Sequence, residues 1–222
     1  MTWFRYEPGE EGPDPHVHRQ HTDAFYVLEG ELEVGLGPDV TWMSGGPGSF
    51  FGAPPNVVHT FRNASDATTI FLNLHAPSSG FGEVLRTGRH DGFDQWDPPD
   101  DGGRPLADAI AAPTGEGERI GRGERAHVVK AELDQLSVIE MTFDPGWEGV
   151  DPHAHDDLVD SFYVLDGEVE FLAGDTYVRG GPGTFFAAPR NARHGFRNPT
   201  DSPIRVLNIH APDAGFVGRL RD

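Results

Sequence analysis

The chain has 222 residues, no cysteine, and 36 acidic against 17 basic residues, giving a formal net charge of -19 at neutral pH. This charge repels phosphate backbones and anionic lipids, so neither nucleic acid nor a membrane surface is an expected partner. The lack of cysteine excludes disulfides, thiolate nucleophiles and sulfur ligands for metals. The amino-terminal residues lack the basic start and apolar run of a signal peptide, and we expect a soluble, cytoplasmic protein.

The first 90 residues consist of short apolar runs separated by turn-forming residues. The stretch PHVHRQHTD is followed by AFYVLEGELEVGL, SFFGAP, HTFRN and TIFLNLHAP, with Gly, Pro, Asn and Asp between the runs. Runs rich in aromatic and β-branched residues at this spacing predict an all-β barrel or sandwich. We therefore expect one β-domain over residues 1–90.

Residues 91–115 are rich in Pro, Gly and Asp and show little periodicity, which is typical of a linker. Residues 116–222 then form a second domain that repeats the first. Residues 16–30 match residues 153–167 at an offset of 137, and residues 48–81 match residues 183–216 at an offset of 135. A period this long that occurs twice indicates duplication of a whole domain rather than a solenoid.

The two copies differ at their start. The stretch ERIGRGERAHVVKAELDQLSVIEMTF precedes the second copy and contains at least two plausible strands, whereas the first copy begins almost at its histidine motif. The N-terminal barrel is therefore predicted to be shortened at its start. Because open sheet edges invite pairing, our hypothesis is that part of the linker or a partner subunit covers the edge that this leaves.

Three histidines recur at matching positions in the two copies, and an aspartate follows the first two. In a strand, His-x-His projects both imidazoles to the same face. Three imidazoles and a carboxylate suit Fe, Mn, Ni, Zn or Cu as divalent ions and leave positions open for water or substrate. The alternative is a barrel that kept its histidines as buried hydrogen-bonding groups without metal. The predicted metal ligands, one ion per copy, are His16, His18, Asp23 and His59, and His153, His155, Asp160 and His194.

These residues resemble the two motifs of the cupin superfamily, commonly written G-x5-H-x-H-x(3,4)-E-x6-G and G-x5-P-x-G-x2-H-x3-N. The opening glycine of the first motif is not at the expected spacing. Asn56 and Asn191 stand where the second motif has its middle glycine, and Asn shares with Gly a tolerance of positive φ. The other motif residues are met by His16, His18, Gly30, Gly48, Pro54, His59 and Asn63, and again by His153, His155, Gly167, Gly183, Pro189, His194 and Asn198.

The resemblance covers most of the chain and implies an all-β fold: two tandem cupin jelly-roll (double-stranded β-helix) barrels, each able to hold one metal ion. Where the family has glutamate, both copies have aspartate, which is shorter by one methylene. Either the backbone comes closer and Asp23 and Asp160 ligate the metal, or the carboxylates orient a histidine or a metal-bound water.

Three further histidines are interpreted as outside the metal sites. His21 has Leu158 as its counterpart, so we expect a surface or local residue, with an accessory ligand as the lesser alternative. His75 and His210 recur at the predicted end of the last strand. We interpret them as structural residues that cap the barrel or pack between domains.

Duplicated small cupins of this pattern resemble the quercetin-dioxygenase-like group. The resemblance implies a metal-dependent dioxygenase-like enzyme acting on a small aromatic or enolic molecule, with Asp23 or Asp160 as acceptor of the substrate proton. The alternatives are a redox-neutral metal-dependent cyclase or isomerase, and a non-catalytic small-molecule-binding cupin. The sequence leaves the substrate, the native metal and the oligomeric state open, a homodimer included.

Overall fold

The computed structural model describes residues 1–121 and 127–222, and the chain divides into two compact units, Met1–Glu116 and Gly117–Asp222. Every strand pairing among the described residues is antiparallel, and the only helices there are short. No helix in the described ranges is long and apolar enough to cross a membrane. The prediction of an all-β fold built from two copies of one domain is confirmed.

The N-terminal unit packs a five-stranded sheet, in the order β1-β7-β2-β5-β8, with a three-stranded sheet, β4-β3-β6. A helix follows β7, and a single 3-10 turn precedes β8. The elements are β1 Thr2–Tyr6, β2 Thr22–Glu29, β3 Leu32–Leu36, β4 Thr41–Gly45, β5 Phe50–Ala53, β6 His59–Arg62, β7 Thr69–Ala76, α1 Phe81–Thr87, the 3-10 turn Leu106–Asp108 and β8 Ile110–Ala112.

The C-terminal unit repeats this arrangement with a six-stranded sheet, β15-β12-β17-β11-β10-β9, and a three-stranded sheet, β14-β13-β16. A short helix again follows the last strand. The elements are β9 Glu118–Ile120, β10 His127–Leu133, β11 Leu136–Phe143, β12 Val159–Asp166, β13 Val169–Ala173, β14 Thr176–Gly180, β15 Phe185–Ala188, β16 Phe196–Arg197, β17 Ile204–Ala211 and α2 Phe216–Arg221.

The N-terminal barrel is shortened at its start, as the sequence predicts. Strand β1 corresponds to β11, but β11 also pairs with β10, whereas β1 is the edge of its sheet. Residues 91–115 do not cover that edge. They add β8 to the opposite edge, beside β5, where Phe50 is fully buried. The part of the hypothesis that placed linker residues on the β1 edge is therefore wrong.

The residues interpreted as linker also pack elsewhere on the N-terminal unit. Trp96 exchanges two backbone hydrogen bonds with Val17, at 2.9 and 3.0 Å, and the amide of Arg104 donates to the carbonyl of Asn56. We call residues 93–104 the strap. The strap therefore binds Val17, which precedes His18, and Asn56, whose own amide donates to the His18 carbonyl.

The two barrel interiors differ at two positions that are aromatic in the N-terminal unit and aliphatic in the C-terminal unit. In the N-terminal unit, Phe4 stacks on Phe71 with ring centroids 5.5 Å apart. The corresponding positions in the C-terminal unit are Met141 and Val206. Replacement of two rings by smaller or more flexible side chains leaves more room in the C-terminal barrel.

Candidate metal centres

Each barrel joins its two histidine motifs by a short antiparallel bridge. His16 and His59 exchange backbone hydrogen bonds of 3.1 and 2.9 Å, and His153 and His194 do the same at 2.9 and 2.8 Å. This pairing brings the third histidine of each set beside the first. The sequence-predicted groups therefore assemble in both units, with ligand atoms within 4.8 Å of one another in each group.

The asparagines that replace the motif glycine hold the second histidine in place. Asn56 and Asn191 have φ of 64° and 63°, the left-handed conformation that the sequence analysis expects. Their backbone amides donate to the carbonyls of His18 and His155 at 2.7 and 2.6 Å. The turn is therefore tied directly to the His-x-His segment.

Backbone carbonyls set the tautomer of the histidines. Nδ1 of four of them donates to the carbonyl two residues earlier, and Nδ1 of His18 donates to the carbonyl of Asp94 in the strap. The four are His16 at 2.8 Å, His59 at 3.0 Å, His153 at 2.9 Å and His194 at 2.9 Å. Each Nε2 is thereby left with a lone pair for a metal ion, an arrangement common around histidine ligands.

The shorter aspartate side chain reaches the imidazoles in both units. Asp23 Oδ2 lies 3.7 Å from His18 Nε2 and 3.3 Å from His59 Nε2. The matching Asp160 Oδ2 distances are 3.8 Å to His155 and 3.2 Å to His194. Nitrogen and oxygen ligands of one ion, each about 2.0–2.2 Å from it, are separated by about 3 Å or slightly more. The four side chains of each unit could therefore hold an ion.

The other oxygen of each aspartate is held by residues that the sequence analysis left outside the site. Asp160 Oδ1 accepts hydrogen bonds from Asn208 Nδ2 at 2.6 Å and from His210 Nε2 at 3.1 Å. In the N-terminal unit, Asn73 donates to Asp23 Oδ1, and His75 Nε2 is 3.6 Å away.

His75 and His210 were interpreted as structural residues that cap the barrel or pack between domains. Each instead lies directly across the sheet from the aspartate of its own unit. Their recurrence with Asn73 and Asn208, as NLHAP and NIHAP, was the available signal.

The expectation that His21 is a surface or local residue is also wrong. Its side chain is 1% exposed, and its ring stacks on His18 with centroids 4.0 Å apart. Nε2 of His21 is 2.9 Å from His75 Nδ1, and Nδ1 is 3.1 Å from Asp94 Oδ2. Strap residue Asp94 also accepts from the amides of Arg19 and Gln20, so His21 is turned inward by a tertiary contact.

Burial and the neighbouring groups set the charges of the sites. Burial lowers the pKa of His16 to about 3 and that of His21 to about 4. Burial opposes ionisation of Asp160, but the neighbouring His194, His210 and Asn208 side chains outweigh it and lower the pKa to about 2. The pKa of Asp23 is likewise well below its ordinary value, because His75, His18 and His59 outweigh the effect of burial. At neutral pH both carboxylates are ionised, as metal ligation requires.

The two sites differ in their access to solvent. In the N-terminal unit, the residues His16, His18 and His59 are at most 5% exposed, and the Phe93 ring of the strap lies 5.5 Å from the His18 ring. In the C-terminal unit, the His155 side chain is 22% exposed. The N-terminal site is nearly sealed, whereas the C-terminal site is open.

The C-terminal site opens into a cavity of about 460 Å³ that is lined by aromatic and aliphatic side chains. Phe143 stacks on Trp147 with centroids 4.1 Å apart, and Phe196 packs edge-on against Phe143. His153, His155 and Asp160 lie in the wall of the same cavity. A mostly apolar cavity with a few convergent polar groups is the usual form of a small-molecule site.

Comparison with known proteins places both units in one family. The family model described as "Cupin domain" matches residues 2–75 and 139–210. A curated relative, quercetin 2,3-dioxygenase from Bacillus subtilis, is 22% identical over an alignment of 219 positions that covers 82% of this chain. This chain spans 64% of the length of that relative.

Solved structures share this fold over nearly the whole of the chain. The E. coli protein Ylba superposes with a TM-score of 0.66 at 13% identity, covering 94% of this chain and 75% of that one. An oxalate decarboxylase from Bacillus subtilis gives a TM-score of 0.60 at 17% identity, covering 95% of this chain and 68% of that one. At these identities the likeness shows the fold alone. With both units matched by the cupin model and both carrying a histidine and aspartate cluster, the chain belongs to the cupin family as a two-domain bicupin.

Proposed function

We propose that this protein is a metal-dependent bicupin enzyme with dioxygenase-like chemistry, and that its C-terminal barrel is the reactive one. The substrate is a small aromatic or enolic molecule. The observation that carries the proposal is the aromatic-lined cavity of about 460 Å³ whose wall contains His153, His155 and Asp160. The sealed site of the N-terminal unit then binds its ion without turning over substrate.

The ligand set supports a divalent transition metal in each barrel. The Nε2 atoms of His18 and His59 are buried and have no hydrogen-bond partner among the described residues, which is costly for a polar atom unless it ligates an ion. We assign Oδ2 of Asp23 and Asp160 to the ion as well. When bound, such an ion, whether Fe, Mn, Ni, Zn or Cu, supplies a Lewis acid and open coordination positions.

The residues of the chain account for binding and proton transfer. Phe143, Trp147 and Phe196 line the cavity with aromatic surface that suits a planar ligand. Asp160 lines the cavity, and we propose it as the acceptor of a hydroxyl proton of the substrate. We do not extend this role to Asp23, because that carboxylate is 3% exposed and its site is sealed.

Oxygen uptake by the Fe, Mn and Ni forms tests the proposal. With a flavonol or a diketone as substrate, we expect oxygen uptake and cleavage of the ring or chain. His155→Ala should abolish this activity, and His18→Ala should retain it. The matched pair removes one ligand from each barrel. Product without uptake would instead indicate a redox-neutral cyclase or isomerase, and tight binding with no product under any metal would indicate a binding protein.

A further inference from the structure

Buried His21 and partly buried His75 of the N-terminal unit face each other through nitrogens that carry no proton. His21 Nε2 lies 2.9 Å from His75 Nδ1. The outer nitrogen of each ring faces an acceptor, because His21 Nδ1 is 3.1 Å from Asp94 Oδ2 and His75 Nε2 is 2.8 Å from Asn73 Oδ1. The Asn73 amide cannot be reversed, since its Nδ2 already donates to the Asp23 carboxylate. A neutral imidazole carries one N–H, so both inner nitrogens present lone pairs.

Two lone pairs at this distance repel each other unless a cation lies between them. Imidazole ligands sit about 2.0–2.1 Å from a transition metal, which places two adjacent ligands about 3 Å apart. The His21–His75 spacing is that of two neighbouring ligands of one ion. The acceptors on the outer nitrogens, a carboxylate and an amide carbonyl, are the partners that orient histidine ligands in metal proteins.

His18 supplies a third nitrogen. Its Nδ1 donates to the carbonyl of Asp94, and its buried Nε2 has no hydrogen-bond partner. The ligand atoms of His18, His21 and His75 lie within 4.8 Å of one another. The single free Nε2 of His18 cannot ligate two ions at once. With both ions bound, His18 therefore serves this cluster, and His16, His59 and Asp23 hold the barrel ion, a set of two histidines and one carboxylate that binds divalent metals by itself.

A polar cavity of about 310 Å³ adjoins the cluster and gives an ion a route from solvent and room for water ligands. It is lined by Gln20, His21, Ser78, Ser79 and Asp94, among others. Ser79, which lines this cavity, has its Oγ 3.5 Å from His75 Nδ1.

The C-terminal unit lacks the same arrangement. Leu158 stands in place of His21, and Nδ1 of His210, the counterpart of His75, has no hydrogen-bond partner among the described residues. The cluster is therefore a feature of the N-terminal unit and not of the repeated fold.

We propose that the N-terminal unit binds a second divalent transition-metal ion, held by His18, His21 and His75 beside the barrel site. The preferred ions are those that favour imidazole, such as Zn(II), Co(II), Ni(II) or Cu(II). The proposal concerns metal binding alone and does not depend on the reaction that the C-terminal barrel performs.

The test is the number of Zn(II) equivalents bound per chain, measured by native mass spectrometry and by dialysis with elemental analysis. We expect three for the wild type and two for His21→Leu, the residue that the C-terminal unit tolerates at this position. His90→Leu is the control for loss of an exposed histidine and should bind as the wild type does. The test depends on the difference between wild type and His21→Leu. A loss of one Zn(II) equivalent supports the site even if the C-terminal barrel is not fully occupied.

A second variant keeps the test independent of folding. Asp94→Asn retains the histidines but weakens the acceptor on His21 Nδ1, so we expect the third equivalent to bind 10- to 100-fold more weakly. In a His59→Ala background, Co(II) absorption should report the ion at His21 together with that of the C-terminal barrel. Adding His21→Leu should remove the first contribution and leave the second. Equal Zn(II) content in wild type and a folded His21→Leu protein, or Co(II) spectra that His21→Leu does not change, would overturn the proposal.

Discussion

Asn208 donates its amide to Asp160 Oδ1 at 2.6 Å, which leaves Asp160 Oδ2 facing His194 Nε2 at 3.2 Å. One carboxylate thus uses one oxygen for orientation and one for the candidate ion. We expect Asn208→Leu, which keeps the side-chain shape but removes the donor, to weaken metal binding in the C-terminal barrel 10- to 100-fold. Competition with a chromophoric chelator measures this affinity.

The N-terminal unit provides the matched control for this change. Asn73→Leu removes the equivalent donor to Asp23 and should leave the affinity of the C-terminal barrel unchanged. Equal weakening of both sites by either variant would contradict the local role of these asparagines.

The metal-free protein should lose stability as the pH falls from 7 to 5.5. Burial lowers the pKa of His16 to about 3 and that of His21 to about 4, against about 6.5 in the unfolded chain. Below pH 6.5 the unfolded state therefore binds protons that the folded state does not, which favours unfolding. Burial lowers the pKa of His194, but Asp160 outweighs it and raises the pKa, so His194 gains stability as the pH falls. This single group offsets only part of the loss from His16 and His21.

Two such histidines lower the free energy of unfolding by about 2 kcal/mol over this pH interval. Urea unfolding of chelator-treated protein at both pH values measures the difference. In His21→Leu the dependence on pH should be shallower. A free energy of unfolding that is constant or rises toward pH 5.5 would show that these imidazoles are not buried in their neutral form.

The sequence predicted the metal-ligand groups because they recur at fixed spacing within motifs. His-x-His and the third histidine occur in both copies, so the assembly of His16, His18 and His59 in space follows from one alignment of the chain with itself. The positive φ of Asn56 and Asn191 was expected because each stands where the cupin motif has a glycine, and Asn tolerates the same conformation. Repetition and special backbone positions are visible in a single sequence.

Contacts that depend on strand register or on distant segments were missed. Asp23 and His75 are opposite each other on β2 and β7, a pairing that hydrophobic pattern does not reveal. His21 is buried because Asp94, 73 residues later, binds it from a segment whose composition is typical of a linker. The strap was also missed, because its hydrogen bonds to Val17 and Asn56 are made by backbone atoms, which leave no pattern in the side chains.

The left-handed turn at Asn191 should tolerate glycine and reject β-branched residues. Its φ of 63° costs other L-residues about 1–2 kcal/mol, and its amide donates to the His155 carbonyl at 2.6 Å. We expect Asn191→Gly to keep the metal affinity and stability of the C-terminal unit. Asn191→Val should lower the free energy of unfolding by about 1–2 kcal/mol and weaken the metal site.

Thermal unfolding and chelator competition on both variants provide the comparison. Similar behaviour of the Gly and Val variants would show that the backbone conformation at this turn is not what holds His155.

Ligand binding in the C-terminal barrel should depend on the absence of an aromatic ring at position 141. Met141 lines the cavity, and its counterpart in the N-terminal unit is Phe4, which fills that barrel by stacking on Phe71. We expect Met141→Phe to weaken binding of a flavonol at least tenfold, because the added ring occupies cavity volume. Metal content should be unchanged, since Met141 is not among the metal-ligand groups.

Isothermal titration of the metal-loaded protein measures the flavonol affinity, and elemental analysis measures the metal. Phe4→Met is the matched control: it makes the reciprocal change in the sealed N-terminal barrel and should leave flavonol affinity as in the wild type. Weakening by Phe4→Met but not by Met141→Phe would move the ligand site to the N-terminal barrel. Full affinity in Met141→Phe with metal bound would show that the ligand does not enter the cavity beside His153 and His155.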